Sequence, residues 1–162
     1  MSNTTQRMWL SKAREIVPKV HELLKKCGAT KVETTGSVLR EEPDIGDIDI
    51  IIAGDLPKII QALEQEGCNI GLTGKDRVFF QFEGTPINVF VATEDNWGAM
   101  QLYLTGPTSY TIAYRIRAKK YGFDKLDQYG LWKDGKVVIG RSEAEIYEAM
   151  GKSWKHPNRR GK

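Results

Sequence analysis

The sequence predicts an α+β protein in two parts: a mixed sheet flanked by helices over residues 1–105, then a small helical part with a β-hairpin over residues 106–162. Two features carry that expectation. Up to about residue 105, runs rich in β-branched and aromatic residues (DIDIIIA, RVFFQFEGTPINVFVA) are interleaved with stretches of helical period. Beyond it the helical period dominates, and one two-residue turn signal, Asp134-Gly135, sits inside LWKDGKVVI.

In chain order, QRMWLSKAREIVPKVHELLKK repeats apolar residues at helical spacing, with Pro18 expected to kink or divide the helix. KVETTG predicts a short strand with Gly36 opening a turn, and DIDIIIA a second strand that stops at Gly54. LPKIIQALEQEG predicts a helix ended by Gly67. RVFFQFEGTPINVFVA predicts a hairpin around EGTP. EDNWGAMQLYLTG and PTSYTIAYRIRAKKYGF are helical in character, separated by Gly106-Pro107. In SEAEIYEAM, Ser142 with Glu145 three residues on predicts a capping box.

A chain of 162 residues, 40% of them hydrophobic, can bury a core without covalent staples. Cys27 and Cys68 lack metal-type spacing and are expected as free, partly buried thiols in a reducing compartment. There is no signal region and no apolar run of 18 residues, so no membrane partner is expected. Positive charge is unevenly placed. Arg115, Arg117, Lys119, Lys120 and Lys125 face one acid, Asp124, and the tail KSWKHPNRRGK has no acid, which points to phosphate partners. His21 is expected exposed on the first helix and His156 without a specific role, while Trp97, Trp132 and Trp154 are expected to pack in the second part.

The stretch GSVLREEPDIGDIDIII concentrates the chemistry. On a strand, residues 47 and 49 share a face, so Asp47 and Asp49 project together while Ile48 and Ile50 fill the other side. Two adjacent carboxylates repel unless a cation sits between them, an arrangement that hard divalent ions accept. Gly36-Ser37 upstream can offer backbone N–H groups to a phosphate, and Arg40 can clamp an anion. Together they suggest a nucleoside triphosphate held against two metal ions.

Gly36-Ser37, nine intervening residues and Asp47-Ile48-Asp49 resemble the signature of the polymerase-beta-like nucleotidyltransferase superfamily. YLTGPTSYTIAYRIRAKKYGF, QYGLW and SEAEIYEAMGKSW resemble, in the same order, the second half of family X DNA polymerases, in their minimal palm-plus-thumb form. That resemblance implies a nucleotidyltransferase palm over residues 1–105 and a thumb over residues 106–162. It implies that Asp47 and Asp49 hold two Mg²⁺ ions, or Mn²⁺ in their place, that Ser37 and Arg40 bind the β- and γ-phosphates, and that Gly36 belongs to the nucleotide site. Tyr103 and Leu104 would lie against the sugar and exclude a 2′-hydroxyl. Thr105 and Gly106 would complete the nucleotide site, and Arg115 would reach the template side of the nascent pair. Gly106-Pro107 stands where the family often uses a cis peptide. Arg117, Lys119, Lys120, Tyr129 and Lys133 would contact DNA.

One position departs from the pattern. Ile87-Asn88-Val89-Phe90 places Asn88 at the family's third carboxylate, the catalytic and metal-binding position opposite Asp47 and Asp49. Asn can lend a carbonyl oxygen but carries no charge and takes no proton at neutral pH. The expectation is an inactivating replacement in an otherwise complete site. The function implied is template-directed filling of short gaps in DNA repair, by a monomer acting on gapped or primer-template DNA and deoxynucleoside triphosphates. A cytoplasmic location, the host cytoplasm for a viral source, goes with it. The alternatives are a non-templated nucleotidyltransferase acting on a small molecule, RNA or protein, and a non-catalytic DNA- or nucleotide-binding homologue.

Overall fold

The computed structural model describes residues 7–162. The chain divides into two compact units, Met1–Val91 and Ala92–Lys162. In the first, β1 (Met8–Trp9) precedes α1 (Leu10–Lys26), β2 (Lys31–Thr35) and the one-turn α2 (Gly36–Leu39). Then come β3 (Asp44–Ile45), β4 (Ile48–Ala53), α3 (Leu56–Gln65), β5 (Ile70–Thr73), β6 (Arg77–Phe82) and β7 (Thr85–Val91). Five strands form one mixed sheet in the order β2-β4-β7-β6-β5. Only β4 and β7 run parallel, because the helix α3 and the β5–β6 hairpin lie between them in sequence and can carry the crossover.

The alternation of β4 explains the core. Ile48, Ile50 and Ile52 are fully buried and share a cluster with Ile87 and Val89 of β7, Val78 and Phe80 of β6, and the apolar stripes of α1 and α3. That stripe on α1 is Ala13, Ile16, Val20 and Leu24, all buried. It continues past Pro18, so α1 is one helix rather than two. Pro18 and Arg14, whose carbonyl loses its i→i+4 donor, are both exposed, and water can take that bond. Met8–Trp9, expected as helix, instead pairs antiparallel with Asp44–Ile45. Gln6, where that helix was expected to begin, lies outside the described residues. α3 starts on Asp55, whose carboxylate accepts from Lys58 N–H at 3.3 Å.

The second unit holds α4 (Trp97–Thr105), α5 (Thr108–Lys120), β8 (Lys125–Asp127), β9 (Gly130–Lys133), β10 (Lys136–Ile139), α6 (Glu143–Ala149) and a 3-10 turn at Pro157–Arg159. Its sheet has the order β10-β9-β8, with Asp134 and Gly135 both at positive φ (54° and 78°) in the two-residue turn. Ser142 caps α6 by accepting from Glu145 N–H at 3.2 Å, and its hydroxyl donates to the Glu145 carboxylate at 3.0 Å. The division falls earlier than residue 105. Ala99 and Leu102 of α4 pack into one cluster with Tyr110, Tyr114, Leu131, Ile146 and Tyr147, so α4 goes with the second unit. The short strands β3, β5 and β8 have too few residues to show a period and were not anticipated.

The tail also differs from expectation. Arg160, read as a phosphate-binding cation, is 2% exposed and donates both terminal nitrogens to Glu143 at 2.8 and 3.0 Å. Trp154 Nε1 donates to the same carboxylate at 2.8 Å. His156 accepts from Asn158 N–H at 3.2 Å and caps the 3-10 turn. His21 is half-buried rather than exposed, its Nε2 2.7 Å from Thr34 Oγ1 on β2. Burial, with Lys25 nearby, holds its pKa below the usual histidine value. Cys27 is buried and Cys68 partly so, both free thiols as expected.

Candidate active site

The site face of the first unit's sheet is the one opposite α1 and α3. Asp49 pairs in register with Thr35 on one side and Asn88 on the other, and Asn88 with Phe79, so these side chains share that face. Asp47 lies one residue before β4. The Asn88 amide nitrogen donates to Asp47 Oδ2 at 3.0 Å and to Asp49 Oδ1 at 3.1 Å. Its two N–H groups therefore stand where positive charge is attracted by two carboxylates.

Asp49 is the electrostatic centre of this arrangement. Burial pushes its pKa up to about 6 and the Asp47 carboxylate adds to the rise, while Asn88, Arg40 and Arg77 oppose it. A divalent cation would relieve both causes of the rise. The donors present, two convergent carboxylates and an amide carbonyl available on rotation of Asn88, fit a hard cation. Among the described residues no group of three or more His, Cys, Asp or Glu is placed to hold a metal ion, and at this site the third position is an amide.

Gly36 is required at its place. Its φ is +66°, and a Cβ there would lie 2.6 Å from Asp49 Oδ2, closer than any side chain tolerates. α2 therefore begins directly beside the carboxylate. Its first turn carries Ser37, whose carbonyl accepts from Glu42 N–H at 3.0 Å, and Arg40 follows, mostly buried and 3.5 Å from Glu42. Gly36, Ser37, Arg40, Asp47, Asp49 and Asn88 are thus one constellation in the first unit. Sequence reasoning missed Arg77, which sits on the site face with its guanidinium 5.5 Å from the Phe90 ring. Counting the hairpin register outward from EGTP would have found it, since Arg77 pairs with Phe90 two rungs from Asn88.

In the second unit Tyr103 is 37% exposed at the end of α4, and Arg115 of α5 holds its guanidinium 5.3 Å from the Tyr103 ring. Both line a shallow cleft with Ala99, Leu102, Thr111 and Asp127. Leu104 is half-buried and Thr105 buried. The Gly106-Pro107 peptide is cis. Lys119 and Lys120 are exposed, and Lys133 lies 5.9 Å from the Phe123 ring. Tyr129 is half-buried, its N–H donated to Asp127. Arg117 is already engaged: Nε donates to the Met150 carbonyl at 2.7 Å and Nη2 to the Tyr121 hydroxyl at 3.0 Å.

Both the fold and these motifs are similar to those of polymerase-beta-like DNA polymerases, and residues 100–161 match the DNA polymerase beta thumb family. Two particular proteins to which the chain is similar are viral. It is 26% identical over 141 residues to the Repair DNA polymerase X of a Namibian warthog isolate of African swine fever virus, covering 80% of each chain. With the same enzyme from a South African tick isolate the identity is 26% over 137 residues, 77% of this chain and 78% of the other. No helix among the described residues is long and apolar enough to cross a membrane.

Proposed function

We propose that this chain is a repair-type DNA polymerase that adds templated deoxynucleotides in short gaps. The observation that carries the reading is the Asp47–Asn88–Asp49 constellation beside Gly36, in a chain whose residues 100–161 match a polymerase thumb. In this reading the first unit is the palm and the second the thumb, acting as a monomer, in the host cytoplasm if the source is viral.

Asp47 and Asp49 would hold two divalent ions, Mg²⁺ or Mn²⁺, which when bound supply Lewis-acid stabilisation to the attacking and leaving oxygens. The chain's own residues do the rest. Ser37 and Arg40 bind the terminal phosphates, neutralising charge and aligning the triphosphate for in-line attack by a 3′-hydroxyl. Tyr103 and Leu104 bound the sugar and leave no room for a 2′-hydroxyl. Arg115 meets the template side of the new pair. Lys119, Lys120 and Lys133, with Tyr129, contact the DNA backbone, which makes binding salt-sensitive without giving it sequence preference. Arg117 joins them by exchanging its Met150 and Tyr121 bonds for phosphate.

Asn88 holds the two carboxylates together by donation but cannot accept the proton of the attacking hydroxyl. The chain is therefore slow, as an Asp→Asn replacement would make it. Primer extension across a one-nucleotide gap, with this chain and Asn88→Asp side by side, tests this. Restoring the base should raise the rate about 10² to 10⁴-fold. Asn88 also favours a second reading, a protein that binds gapped DNA without turnover. That reading holds if Asn88→Asp binds the gap but leaves the primer unextended. Template-independent addition by the variant would instead mark a non-templated nucleotidyltransferase.

A further inference from the structure

α5 buries one face and leaves the other with an unusual composition. Tyr110, Thr111, Tyr114 and Ala118 are buried, while Ile112 is 47% and Ile116 67% exposed. At about 100° per residue the two isoleucines lie one turn apart, within about 40° of each other, in the middle of the exposed arc. Lys119 and Arg115 flank them on one side and Lys120 on the other, all exposed, and the helix carries no acid. A single exposed isoleucine needs no explanation, but a contiguous pair edged by cations on both sides is a patterned surface.

We propose that Ile112 and Ile116 form an apolar wedge that reads a break in DNA base stacking, with Lys119 on one side and Lys120 on the other holding the phosphates of the two strands. This rests on the reading of the chain as a DNA repair protein and adds what selects the gap. The minor groove is about 6 Å wide, which admits a ridge of two aliphatic side chains with cations along its walls. Inserting such a wedge into intact duplex requires a base step to unstack. Where a nucleotide is missing, that requirement is already largely met, so the wedge discriminates gapped from intact DNA. A membrane is the weaker candidate for the same surface. Interfacial helices bury a full apolar face in the bilayer, and the broad apolar face of α5 already lies in the protein core.

The test is the dissociation constant for a one-nucleotide-gapped duplex and for the same duplex intact, measured by anisotropy at several salt concentrations. Ile112→Ser with Ile116→Ser should lose about tenfold on gapped DNA and little on intact DNA, with an unchanged salt slope. Ile112→Met with Ile116→Met, which keeps the apolar ridge, should retain the preference. Lys119→Gln with Lys120→Gln should weaken both duplexes alike and flatten the salt slope. 2-Aminopurine in the template at the gap should brighten with the parent chain and stay dim with the serine variant. Equal losses on both duplexes, or none on the gap, overturn the proposal. So does isoleucine-dependent binding to phosphatidylserine vesicles without a gap preference. Because the readout needs no turnover, failure of primer extension by Asn88→Asp leaves this result standing, and the two readings fail separately.

Discussion

At the residue scale, the site is built on a conflict. The chain buries Asp49 beside another carboxylate, and the amide of Asn88 and the charges of Arg40 and Arg77 only partly offset that. The pH dependence follows from the direction of the shift. A carboxyl whose folded pKa is about 6 rather than 3.8 binds its proton more tightly folded than unfolded. The stability this contributes is fully present below pH 3.8 and is lost as pH rises through about 6. Asp49→Asn should therefore raise stability at pH 7.5, by about 2–3 kcal/mol, and the gain should vanish near pH 4. Chemical denaturation of the pair at both pH values checks it. Taking the difference between the two proteins cancels His21, whose lowered pKa acts in the opposite sense, costing stability as pH falls below 6.5. A gain that is the same at both pH values would mean that the carboxylate is not desolvated as described.

At the element scale, α1 shows packing overriding a local breaker. The buried stripe Ala13, Ile16, Val20 and Leu24 runs on both sides of Pro18, and the sheet holds both halves in line. The proline still costs the helix an N–H donor. Pro18→Ala should stabilise the first unit by about 1–2 kcal/mol, less than the full helix-interior penalty because alanine also frees the unfolded chain. Thermal melting should show this as a higher midpoint. A lower midpoint would mean that the ring makes packing contacts its exposure does not suggest. At this scale the sequence was readable where a period was long. β4, β6 and β7 lie within about one residue of where their patterns placed them, while α1 starts four residues later and α5 ends three residues earlier than their segments. β3 and β8 were missed because two or three residues show no alternation, and they exist through the strands they meet.

At the scale of the whole molecule, two cores stabilise two units, and the second is closed by its own tail. Arg160, fully buried at its side chain, and Glu143 form a bidentate pair 17 residues apart, with the Tyr110, Tyr147 and Trp154 rings about the guanidinium. Removing one partner strands the other in a dry site. Arg160→Ala should cost about 3–5 kcal/mol, while Arg160→Met with Glu143→Leu should recover much of it. Hydrogen exchange should report the single-variant loss in α5, α6 and β9 and leave β4 and β7 of the first unit protected. Equal loss of protection in both units would show that they unfold as one.

The sequence by itself determined the α+β class, the alternation that puts Asp47 and Asp49 on one face, and the likeness to polymerase-beta-like enzymes, because each is written in local spacing. The place of Asn88 opposite both carboxylates was legible only through the family likeness, and the parallel register of β4 with β7 is what brings it there. Tertiary structure alone decided the burial that moves Asp49, the capture of Arg117 by Met150 and of Arg160 by Glu143, and the attachment of α4 to the second unit. These depend on which surfaces meet across long sequence separations. A cation looks the same in sequence whether solvent, phosphate or a buried carboxylate awaits it.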